Sequence, residues 1–97
     1  MLRLINIEYK VPLSEIEKHL VAHREYLQIY YDKGNFIASG PKDPRTGGII
    51  LAVGEIDFLN EVIKGDPFFK NDAADFSIIS FDPVKKSEAF EALLKNL

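Results

Sequence analysis

The chain has 97 residues, 46% of them hydrophobic and 28% charged, enough for one hydrophobic core and too few for a second. Its formal charge of −3, with basic residues scattered among acids, suits neither a nucleic-acid backbone nor any partner read through a basic stripe. The absence of cysteine excludes disulfides, thiolate nucleophiles and cysteine-ligated metal centres, and no apolar run reaches the length of a secretory signal or a membrane span, so a cytoplasmic location is expected.

In chain order, Leu2 to Tyr9 is rich in Leu and Ile, with Leu2 and Leu4 on one side of an extended chain and Ile5, Ile7 and Tyr9 on the other. This predicts a strand buried on both faces. Pro12 interrupts it, and Ser14 with Glu17 three residues later has the spacing of a capping box, predicting a helix to about Lys33 with Gly34 as its C-terminal cap. Asn35 to Pro41 reads as a second strand, Lys42 to Gly48 as a hairpin loop, and Ile49 to Gly54 as a third strand. Asp57 is placed to cap a short helix whose Phe58, Leu59, Val62 and Ile63 fall at helical spacing, and Gly65 ends it. Asp66-Pro67 begins another short helical piece, since aspartate caps and proline suits the first turn. Asp75 to Asp82 is the fourth strand, and Ser87 to Asn96 a final helix.

The order β-α-β-β-α-β predicts a single α+β domain over residues 1–97, a ferredoxin-like sandwich with an added C-terminal helix. Right-handed crossovers put the first and third strands at the centre of the sheet. Two helices cover one face only, so the second apolar face needs a partner. A second copy packed sheet to sheet, giving a homodimer, is the simplest cover, and Phe90, Leu93, Leu94 and Leu97 of the last helix are the competing one. RNA-binding sheets share this element order but stack bases on third-strand aromatics, where this chain has Ile49-Ile50-Leu51-Ala52-Val53.

On the first helix Ile16, Leu20, His23, Leu27 and Tyr30 form one stripe, which aims His23 at the sheet. Imidazole trades protons near neutrality, so His23 is either a core residue satisfied by one hydrogen bond or a general base. Asp66 is correspondingly either a plain helix cap or the carboxylate that fixes the tautomer of His23. His19 and His23 have the spacing of two metal ligands on a helix, but Leu20 stands where a zinc protease has glutamate, and no metal is expected. The stretch from Gly40 to Gly48 lacks the ending of a phosphate loop, and its Lys42 and Arg45 are either solvated or attract an acidic group of a substrate.

Four short motifs occur in order: His23-Arg24-Glu25-Tyr26-Leu27, Ser39-Gly40-Pro41, Gly47-Gly48-Ile49 and Gly65-Asp66-Pro67-Phe68. With them the chain resembles, over nearly its whole length, the YciI-like (YCII-related) proteins of the dimeric α+β barrel superfamily. The resemblance implies a domain that dimerises through its sheet, with His23 and Asp66 as a catalytic pair and a cleft lined by Ser39, Gly40 and Pro41. Tyr26, Tyr30 or the Ser39 hydroxyl would then steady developing negative charge. The activity associated with the family is elimination on halogenated ring compounds. The short basic loop from Lys42 to Gly48 and the C-terminal helix depart from many relatives.

Three functions stay open on these grounds. The first is a small enzyme of lyase or isomerase type, without metal or cofactor, that moves a proton of a small-molecule ligand with His23 and Asp66. The second is a non-catalytic small-molecule binding or regulatory dimer with its site at the subunit seam. The third is a structural partner protein docking through an apolar patch on the last helix.

Overall fold

The structure, a computed structural model, describes residues 1–96. Its elements are β1 (Leu2–Tyr9), α1 (Leu13–Asp32), β2 (Phe36–Pro41), β3 (Gly47–Ala52), α2 (Ile56–Lys64), α3 (Pro67–Lys70), β4 (Ala74–Phe81) and α4 (Glu88–Lys95). The strands form one antiparallel sheet in the order β2-β3-β1-β4, the ferredoxin-like α+β arrangement, with the two most apolar strands at its centre. No helix among the described residues is long and apolar enough to cross a membrane.

Several element ends differ from the sequence reading. Helix α1 begins at Leu13, and its N-cap is Pro12 with no side-chain bond. The Ser14–Glu17 capping box is therefore not formed: Ser14 already lies inside the first turn, and the Pro12 carbonyl takes the N–H groups of Glu15 and Ile16. Glu17 is free to reach across to Arg45 Nη1 at 2.6 Å. Asp57 likewise falls inside the first turn of α2, whose N-cap is Glu55. Strand β3 starts two residues early, at Gly47, which pairs with Glu8 while Gly48 pairs with Ile7. A Cβ at position 47 would sit 1.8 Å from the Ile7 carbonyl oxygen, so glycine lets the β1 backbone approach that closely. Gly34 ends α1 as expected, at φ +82°, with its N–H on the Tyr31 carbonyl.

Register decides the two faces of the sheet. Ile5 lies opposite Ile50, and both point with Ile7 and Ala52 into a core completed by Ile16 and Leu27 of α1, Leu59 and Val62 of α2, and Phe68 of α3. Burying each such side chain contributes about 1.5–3 kcal/mol. On the other face Leu4 lies between Leu51 and Ile79, and Leu2 opposite Phe81. Here Ile79 is 60% exposed and Phe81 47%. Helix α4 does not cover them: it has no buried residue, and its Leu94 instead borders a small cleft with Met1, Leu2, Arg3 and Val53 at one end of the sheet. Leu97 lies outside the described residues.

Candidate active site

His23 is presented by α1 and Asp66 by the turn between α2 and α3. Asp66 is extended (φ −67°, ψ 132°), Pro67 follows as the first helical residue, and Asp66 Oδ1 accepts the Phe68 N–H at 2.8 Å. This is the cap that the Asp-Pro pair predicts. The same carboxylate does a second thing: each of its oxygens lies 2.9 Å from His23 Nδ1. Both groups are buried, His23 to 8% exposure and Asp66 to 2%. Buried polar groups are hydrogen-bonded, and Asp66 has two partners, the Phe68 N–H and His23 Nδ1. The helix cap and the carboxylate beside the His23 ring, alternatives on sequence grounds, are one residue in both positions.

An ionised carboxylate only accepts hydrogen bonds, so Nδ1 of a neutral His23 must carry the proton and Nε2 the lone pair. Among the described residues no buried side-chain nitrogen or oxygen lacks a partner. Nε2 makes no hydrogen bond there, so it is not fully buried. The ring lies flat on Phe68, centroids 4.0 Å apart and planes 11° from parallel. A wholly buried phenyl ring on one side and two carboxylate oxygens at one edge leave the imidazole a single orientation.

Nε2 opens into a cleft of about 660 Å³ between α1 and the β2–β3 hairpin. Ser39, Gly40 and Pro41 line it from β2, Ile49 and Ile50 from β3, and Leu20, His23, Arg24 and Leu27 from α1. Arg45 and Glu17 border it as well, bonded to each other, and that bond holds the Arg45 guanidinium above its ordinary pKa. The Ser39 hydroxyl shares a 2.6 Å hydrogen bond with the Tyr31 hydroxyl. His23, Ser39, Gly40 and Pro41 thus meet at one cleft, with Asp66 beneath it.

Tyr26 and Tyr30, expected as candidates to steady negative charge at the site, are not on the lining. The Tyr26 hydroxyl donates to the Val62 carbonyl at 2.7 Å, tying α1 to α2. Burial, then the neighbouring Tyr30 hydroxyl, pushes its pKa up. His19 is also off the lining, and among the described residues no three His, Asp or Glu side chains converge as a metal site. Phe68 and Arg24 stood inside the motifs without a role assigned to them. The position of Phe68 two residues after a capping aspartate was the available signal.

The profile of the YCII-related domain matches residues 1–82, which leaves α4 outside. The chain belongs to the YCII-related family. Among solved structures it is similar to the 5-chloro-2-hydroxyhydroquinone dehydrochlorinase TftG from Burkholderia phenoliruptrix AC1100, determined in complex with 2,5-dihydroxybenzoquinone. The TM-score is 0.72 at 21% identity, over 84% of this chain and 94% of that one, a likeness of fold. No curated protein matches this YCII-related chain in sequence.

Proposed function

We propose that this YCII-related protein is a cofactor-independent enzyme of lyase or isomerase type in which His23 abstracts a proton from a bound small molecule. The observation that carries the reading is the Nδ1 of His23 held by both oxygens of Asp66 while Nε2 faces the cleft. Asp66 fixes the tautomer and stabilises the imidazolium as it forms, and a positioned base of this kind supplies about 10²- to 10⁴-fold in rate. Ser39, Gly40 and Pro41 border the ligand, with the Ser39 hydroxyl as the polar group on that wall. The fold-level neighbour is a dehydrochlorinase holding a quinone, which fits chemistry on a small ring compound. In this reading the protein acts in the cytoplasm as a homodimer whose second copy covers Leu4, Leu51, Ile79 and Phe81.

The test is a pH titration of the His23 ring nitrogens by NMR, in the intact protein and in Asp66→Asn, with His23→Gln assigning the signals. A single Nδ1–H tautomer that Asp66→Asn disturbs is the expected result, with His23→Gln losing at least about 10² in turnover of any substrate found. A ring indifferent to Asp66→Asn, or a fully active His23→Gln, would end the proton-transfer reading and leave a non-catalytic binding module.

A further inference from the structure

The charge on the cleft wall runs against that of the chain. The chain is −3 overall, yet the ionised side chains on the lining are Arg24, Arg45 and Glu17, two cations against one anion. Asp66 lies below the surface with both oxygens engaged. Arg45 spends only one of its several N–H donors on Glu17. Arg24 makes no hydrogen bond or ion pair among the described residues. Glu17 and Arg24 are about two helical turns apart on α1, with Leu20 and His23 between them in the chain, and Arg45 is held at the Glu17 end. Around Leu20 the lining is largely apolar, with Ile7, Leu27 and Ile50 on the same side of the sheet.

We propose that Arg24 and Arg45 form an anion subsite of this cleft, and that its ligands are small flat organic acids. The proposal rests on the proton-transfer reading for what happens next. The carboxylate is held by Arg45 at the Glu17 end, the apolar body lies along Leu20 with the reacting hydrogen toward His23, and Arg24 adds its positive charge from the other end of the cleft. The planar fork of arginine matches a carboxylate with paired hydrogen bonds, which suits this anion better than a point charge would. Glu17 occupies Arg45 until a ligand carboxylate takes its place.

Benzoate and benzamide have the same flat shape and differ in charge, so NMR-monitored titration of the full chain with each isolates the subsite. Benzoate is expected to bind saturably, shifting the Leu20 and Ile50 methyl signals, and benzamide at least about tenfold more weakly. Arg45→Gln should weaken benzoate about tenfold and Arg24→Gln by a smaller factor, both leaving benzamide unchanged, while Glu17→Gln, which removes the competing carboxylate, should tighten benzoate. Equal affinity for the two probes, benzoate binding unmoved by both arginine substitutions, or no saturable benzoate binding would each overturn the subsite. His23→Gln should still bind benzoate. If the His23 tautomer proves unlocked while benzoate behaves as expected, the subsite stands and proton transfer falls; the reverse pattern removes the subsite and keeps the base.

Discussion

The two faces of the sheet receive similar side chains from the same strands and end in different states. On the helix side Ile5, Ile50 and Ala52 are at most 2% exposed, whereas on the other side, one residue along, Leu4 and Leu51 are half-buried and Ile79 is mostly exposed. Strand composition does not separate them. What does is cover: α1, α2 and α3 lie on one face, and α4 is displaced to the end of the other. The candidate site follows from the same fact, because it occupies the place on the covered face where α1 stands away from the β2–β3 hairpin.

The largest effect expected from this difference is at Phe68. It is 1% exposed, packs in the core and supports the His23 ring, so Phe68→Ala should lower stability by about 3–5 kcal/mol and disturb the His23 signals. Ile79→Ala, on the open face, should cost a single chain less than about 1 kcal/mol. Urea unfolding of both variants checks the contrast, and equal midpoints would remove it.

A smaller effect sharpens the comparison by asking what covers the open face. If a second copy does, the unfolding temperature rises with protein concentration, because association stabilises the folded state by mass action. Ile79→Lys would place a charge in that interface and should give a monomer by light scattering whose unfolding temperature no longer depends on concentration. A wild-type chain that is already monomeric at micromolar concentration would leave the face open in solution and remove the dimer.

How much of this was legible in the sequence depended on the range of the interaction. All four strands and every helix fell where period and punctuation placed them, within about two residues, because alternation, Gly34 and Asp66-Pro67 act locally. One of the errors was local in origin and the other came from a distant strand. Ser14 and Glu17 have capping-box spacing, but Pro12 starts the helix two residues too early for it, and the start of β3 depended on how closely β1 approaches Gly47. At the site, His23 was visible as a polar residue on an apolar stripe. The second oxygen of Asp66 on its ring, the flat contact with Phe68 and the Glu17–Arg45 bond join residues distant in the chain, and no periodicity encodes them. Tyr26 shows the converse: it shares a motif with His23, yet three residues further along α1 its hydroxyl goes to α2.

That hydroxyl supplies the smallest test, one on the covered face and away from the cleft. Burial, then Tyr30, holds the folded pKa of Tyr26 above its ordinary value, so the folded chain keeps the phenol proton longer than the unfolded chain does. Its stabilisation is complete below the unfolded value of about 10 and is lost as pH rises from there through the folded value. Tyr26→Phe removes one donor from the Val62 carbonyl, which keeps the Gly65 N–H, so the cost at neutral pH should be about 1 kcal/mol. Above about pH 10 the wild type loses this advantage and the variant does not, and the urea midpoints of the two proteins should converge. A gap that stays constant across that range would mean that the Tyr26 hydroxyl contributes nothing through its proton, and that α1 and α2 are joined by packing around Gly65 alone.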